Sequence, residues 1–157
     1  LAAAGQAMQT RKHIMHTLLI EPDMRDRDRI TSALHYAGQR VTAVRTQEEA
    51  LALVRESFYD LIVLTAPQEG RMDLPALLRA FHWRWPRSLV IVLSDASELQ
   101  NVVAACGGAA DALAVKPIER EELRRVIESA VRREKVRLRH PLTEPPRSRN
   151  PRETVTL

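Results

Sequence analysis

Residues 60–65 read Asp-Leu-Ile-Val-Leu-Thr, four consecutive aliphatic side chains between a carboxylate and a hydroxyl. A run this short has the length of a strand. Its lack of alternation predicts a strand covered on both faces, as in a parallel sheet flanked by helices. Leu18–Ile20 and Leu89–Leu93 are runs of the same kind, and Val41–Val44 and Ala112–Val115 bring the set to five. Longer amphipathic stretches lie between them, with apolar residues at helical spacing: Ile30, Ala33, Leu34 and Ala37; Ala50, Leu51, Leu53 and Val54; Leu77, Leu78 and Phe81; Leu123, Val126, Ile127, Ala130 and Val131. A short fourth helix is predicted at about Ser97 to Ala105.

The boundaries carry their own signals. Asp23, Thr46 and Asp73 stand where helix N-caps are needed. Thr46-Gln47-Glu48-Glu49 has capping-box spacing, and Pro75 falls in a first turn, where its missing N–H costs little. Gly38 and Gly107-Gly108 close helices. Strict alternation of five strands with five helices predicts an α/β fold, a doubly wound five-stranded parallel sheet flanked by five helices.

At 157 residues with 45% hydrophobic content, the chain suffices for one domain with a buried core. No apolar run approaches the ~20 residues of a membrane span, so no membrane partner is expected. The single cysteine, Cys106, excludes an internal disulfide and a cysteine metal cluster. These features together suggest a cytoplasmic protein. Residues 1–15 read as an N-terminal extension; Leu1 to Met8 lacks a signal-peptide layout and suggests a partly vector-derived or trimmed start. Residues 16–139 form the expected domain. From His140 the Pro/Arg-rich sequence loses apolar periodicity and is expected to be a disordered tail or linker. Charge is uneven: residues 1–119 hold 13 Lys/Arg against 14 Asp/Glu, residues 120–157 hold 11 against 6. The basic end is compatible with a solvated helix face and linker, or with nucleic acid bound through the last helix and tail.

In a doubly wound sheet, reactive groups gather where the strands end, near the point at which strand order reverses. Those ends present Glu21-Pro22-Asp23, Thr65, Ser94-Asp95 and Lys116-Pro117. Four strands thus bring a carboxylate, two hydroxyls and an ammonium to one edge. The five histidines show no metal-ligand spacing. Phe81-His82-Trp83-Arg84-Trp85 is the only aromatic concentration; Phe81 fits a buried face, and the two tryptophans are expected to cover the core or to face a partner.

Over residues 16–132 this layout resembles the receiver domain of two-component response regulators, a flavodoxin-like architecture. The family places an acidic pair after strand one, a phospho-accepting aspartate after strand three, a Ser/Thr after strand four and a Lys-Pro after strand five. By that resemblance Glu21 stands at the first acidic position and Pro22 at the second, Thr65 at the acceptor, Ser94 at the switch hydroxyl and Lys116 at the conserved ammonium. Gly70-Arg71-Met72-Asp73 is similar to the loop after the acceptor, with a one-residue insertion. Gly108 to Asp111 leads into Lys116-Pro117 as in the family, often with a cis bond, and Leu113 replaces a frequent switch aromatic.

The resemblance implies a degenerate receiver. Thr65 is a poor nucleophile with no base visible beside it, and Pro22 supplies no ligand side chain. Mg²⁺ would be held at most weakly, by Glu21 and by Asp23 if the latter is free of capping. The expectation is therefore a non-enzymatic, phosphorylation-independent receiver with a degenerate pocket of Glu21, Asp23, Thr65, Ser94 and Lys116, no catalytic residue, no metal ligand set and no required cofactor. The alternative is a receiver that retains Mg²⁺ or phosphoryl binding. By the same resemblance, a protein partner or second copy would dock on the face of helix four, strand five and helix five, near Ala104, Leu113 and Ile127. An effector domain would follow residue 157.

Overall fold

The computed structural model describes residues 14–68 and 70–139, with side chains as far as Glu134. The expected N-terminal extension, apart from Ile14 and Met15, and the expected tail at 140–157 lie outside the described residues. The chain alternates β1 (His16–Ile20), α1 (Met24–Tyr36), β2 (Arg40–Val44), α2 (Gln47–Glu56), β3 (Leu61–Ala66), α3 (Leu74–Arg84), β4 (Leu89–Asp95), α4 (Leu99–Cys106), β5 (Ala112–Lys116) and α5 (Arg120–Arg139). All strand pairs are parallel, in the order β2-β1-β3-β4-β5. The expected doubly wound α/β sheet with five helices is the one observed. Order reverses between β1 and β3, which fixes the topological switch point.

Strand periodicity divides the core in two. Leu18, Ile20, Ile62, Leu64, Val90 and Val92 pack beneath α2, α3 and α4. Leu19, Leu61, Val63, Leu89, Ile91 and Leu93 pack against Ile30, Ala33 and Leu34 of α1 and Leu123, Ile127 and Ala130 of α5. Neighbours above and below explain why β3 and β4 read as unbroken apolar runs.

The caps form as the sequence suggests. Asp23 accepts from the Asp26 N–H, Thr46 from Glu49 and Asp73 from Ala76. The capping box is shifted by one residue: Glu49 reaches back to the N–H of Arg45 rather than of Thr46 (3.0 Å). Gly107 takes the left-handed conformation (φ 54°) that a helix end requires.

Three expectations need correction. Strands β3, β4 and β5 run past their apolar stretches, so Thr65 lies within a strand and not just after one. Ladder pairing with neighbours, Thr65 with Leu93 and Ala66 with Ser94, carries the strand beyond its apolar side chains. The fourth helix begins later than expected, because Ala96–Glu98 form a 3₁₀ turn and neither Asp95 nor Glu98 makes a side-chain cap. Ile127 is buried against the sheet and cannot belong to an outer face.

The two tryptophans separate. Trp85 is buried in the core, stacked with Phe81 (6.4 Å between centroids) and edge-on to Tyr59 (5.5 Å) and Phe58 (6.5 Å). Trp83, two residues earlier on the helix, lies on the opposite side with 89% of its surface exposed. Truncating Phe81 to Ala should cost about 3–5 kcal/mol of unfolding free energy, read from the urea midpoint. Trp83→Ala should change it by about 0.5 kcal/mol or less.

Candidate functional site

Strand register decides which of the sequence candidates meet. Leu19, Val63 and Ala114 face the α1/α5 side, so Thr65 and Lys116, two residues further along their strands, and Glu21, where the ladder continues just past β1, face that side as well. Ser94 has the opposite parity, that of Val90 and Val92. Its hydroxyl is buried and donates to the Asp95 carbonyl (2.9 Å). Three of the five candidates therefore converge, and Ser94 stays apart from them.

Glu21 is the centre of the cluster, only 1% exposed. Its Oε1 accepts from the Asp23 backbone N–H (3.1 Å). Its Oε2 accepts from the Thr65 hydroxyl and from the Lys116 ammonium (3.1 Å to Nζ). Lys116 makes a second ion pair, 2.7 Å to Asp26 Oδ2 on the first turn of α1. Burial works against the Lys116 ammonium, yet the hydrogen bonds it donates to Asp26 and Glu21 outweigh it and hold its pKa above the ordinary lysine value.

Asp23 takes no part in the cluster through its side chain, which is committed to capping α1. The Asp26 N–H lowers its pKa, as expected for a carboxylate that accepts at a helix start. Asp26, not Asp23, is the second carboxylate of the site. Sequence reading missed it; the signal was its position in the first turn, three residues after the cap. Arg27 adds another cation at the rim, donating to the carbonyls of Glu21 (3.2 Å) and Pro22 (3.4 Å).

Thr65 also differs from expectation in having a carboxylate beside it. A carboxylate is a weak base toward an aliphatic hydroxyl, and this one is shared with an ammonium; the contact orients Thr65 without activating it. The Thr65 carbonyl accepts from the Gln68 amide. Both Lys116-Pro117 and Ala66-Pro67 are cis.

The loop that leaves β3 is held from α2. Gln47, almost fully buried, pairs with the backbone of Met72 as one strand pairs with another: Nε2 donates to the Met72 carbonyl (2.9 Å) and Oε1 accepts from its N–H (3.1 Å). Gly70 passes so close that a Cβ there would lie 2.6 Å from Gln47 Oε1. Gln47 had shown only as part of a capping sequence, and nothing in one chain marks a glutamine as a loop anchor. Among the described residues no group of three or more His, Cys, Asp and Glu side chains is arranged to hold a metal ion.

The sequence profile of the response regulator receiver domain matches residues 17–128. Among curated proteins, the chain is 32% identical over 123 residues to the cell cycle transcriptional regulator CtrA of Caulobacter vibrioides, covering 77% of this chain and 52% of that protein. It is 31% identical over 121 residues to the two-component response regulator PhoP of Pseudomonas aeruginosa, covering 76% and 52%. The chain thus spans about half the length of the curated relatives it matches. Solved structures share the fold. A response regulator receiver domain protein from Clostridium thermocellum superposes with a TM-score of 0.68 at 22% identity, over 78% of this chain and 98% of that one. NtrX from Brucella abortus gives 0.74 at 23% identity, over 81% and 29%. With the reversal of strand order at β1 and β3, and Glu21, Thr65 and Lys116 gathered at the strand ends, these likenesses agree: the chain belongs to the response regulator receiver domain family.

Proposed function

We propose that this receiver domain signals without aspartyl phosphorylation, its pocket held in one arrangement by internal ion pairs. As a receiver domain the chain serves signal transduction. The observation that carries the finer reading is that both Glu21 oxygens are engaged. Both carboxylate oxygens are taken by donors of the protein, and Lys116 is taken by Glu21 and Asp26 together. Thr65, at the acceptor position, offers a neutral hydroxyl, and Pro22, beside Glu21, offers no ligand side chain.

These residues do not fit a Mg²⁺ ion. Such an ion needs several oxygen ligands, usually two or more carboxylates. Glu21 would first have to give up an ammonium, and Asp23 a helix cap. The saturated carboxylate speaks in the same way against the alternative of retained phosphoryl binding.

Output through protein contact fits the β5 edge. Leu113 and the outer residues of α5, Glu122, Arg125 and Val126, line an open groove of about 600 Å³ between β5 and the last helix. Ala104 and Val103 of α4 are exposed nearby in sequence to that edge. A second copy or a partner protein would dock there through Val126 and Arg125, taking the place in the expected face that buried Ile127 cannot fill. The transcriptional regulator among the relatives supports an output through a linked effector segment.

Two measurements test this reading. Thr65→Asp, incubated with Mg²⁺ and acetyl phosphate, should gain no phosphate mass by intact-protein mass spectrometry; ready phosphorylation would show that Pro22 and the ion pairs do not block the chemistry. Lys116→Met should destabilise the fold by about 3 kcal/mol, the cost of leaving a buried carboxylate without its counter-charge. The double variant Glu21→Gln, Lys116→Met should recover most of that loss in urea melts.

The clamp has a definite pH range. The Lys116 pKa is raised in the folded state, so its contribution is complete below pH 10.5, the ordinary lysine value, and is lost as pH climbs through the folded value. Lys116→Met should therefore be destabilised by the same amount from pH 7 to 9, with the gap to wild type closing only in stronger alkali.

A further inference from the structure

The end of the sheet away from Glu21 carries a surface that the pocket does not explain. The outward ridge of α3 presents Ala76, Arg79, Ala80 and Trp83, residues three and four apart and so on one side of the helix. Trp83 is 89% exposed, the most exposed of the large apolar side chains among the described residues. Arg79 lies one turn before it, and Arg84 and Arg87 stand at the end of the helix and just past it, all exposed. Arg84 also donates to the Val54 carbonyl (3.1 Å), which joins the ends of α2 and α3.

Charge on this ridge has one sign. Residues 74–94 contain Arg79, Arg84 and Arg87 and no Asp or Glu. Among the described residues, none of the three arginines has a carboxylate within ion-pair distance. The carboxylates of this end, Glu56, Asp60 and Asp111, make no ion pair with them; Asp60 accepts from the His16 N–H and Asp111 from the Val90 N–H. A solvent-exposed tryptophan with exposed, unpaired arginines one turn before it and just after it in the chain is the composition of an interface anchor.

We propose that the Arg79–Trp83 ridge, with Arg84 and Arg87 at its end, docks an acidic segment of a partner protein that also carries apolar side chains. The ring would supply the buried anchor, and the arginines would meet carboxylates at the rim. Nucleic acid fits less well. Strand-tracking proteins use a basic groove with several stacking rings, whereas this is one ring on a convex helix. The proposal does not depend on the phosphorylation reading, because its residues lie at the opposite strand ends.

The test uses the full chain and a fluorescein-labelled synthetic peptide of alternating Glu and Leu blocks, followed by anisotropy. Saturable binding is expected, with loss of acrylamide quenching of the exposed tryptophan emission. Trp83→Ala should weaken binding by about thirtyfold or more, as truncation of an anchor does. Arg79→Glu with Arg87→Glu should weaken it comparably, while Arg29→Glu, at an exposed position of α1, should leave it unchanged. Circular dichroism of each variant should match wild type, since these side chains are exposed. The proposal fails if the peptide does not bind, or if Trp83→Ala binds as well as wild type. It fails equally if oligo(dT), and not the peptide, protects Trp83 at the same salt concentration.

Discussion

A carboxylate withdrawn from water at the end of β1 sets the terms for the rest of this molecule. An unpaired charge at the burial of Glu21 would cost several kcal/mol, so its neighbours must answer it. They come from three different elements: a hydroxyl from β3, an ammonium from β5 and a backbone N–H ahead of α1. Lys116 then ties in α1 once more through Asp26. Strands β3 and β4 lie between β1 and β5, so the pairing spans most of the sheet in one step. Buried ion pairs of this kind add little net stability beyond what apolar packing would give, but losing one partner is expensive. Their effect is to select one arrangement of the strand ends.

Much of this was legible in the chain, and what was not has identifiable reasons. Unbroken apolar runs at 61–64 and 89–93 announced a sheet covered on both faces, and the caps at Asp23, Thr46 and Asp73 placed three helices. Strand ends were misjudged because hydropathy stops where the core stops, while hydrogen-bond pairing continues to Ala66 and Asp95. The same ladder separates Ser94 from Thr65. Both follow an apolar run directly, yet they have opposite parity on the sheet, and parity requires the register between strands. Asp26 was overlooked because a first-turn aspartate looks like a dipole partner; only the reach of a lysine from β5 gives it a second role. Trp83 and Trp85 could not be told apart by composition. Their two-residue separation on a helix turns one inward and the other out.

The two proposed roles divide along the same axis. One end of the sheet holds a closed set of ion pairs, the other an aromatic and basic ridge, and α3 runs between them. Its first turn follows the loop that Gln47 grips at Met72, and its last turn carries Trp83. The inner face of that helix, Leu77, Leu78 and Phe81, is wholly buried.

The grip of Gln47 on Met72 has a consequence for how this sequence can change. The loop crosses the glutamine at Gly70, where even a methyl group would collide with the amide. A larger residue at 70 would push Gln47 off the loop, and a shorter residue at 47 would release the loop, yet the positive φ of 153° would still favour glycine at 70. Position 70 is therefore bound to glycine twice over, by its own backbone and by a glutamine twenty-three residues earlier on another element.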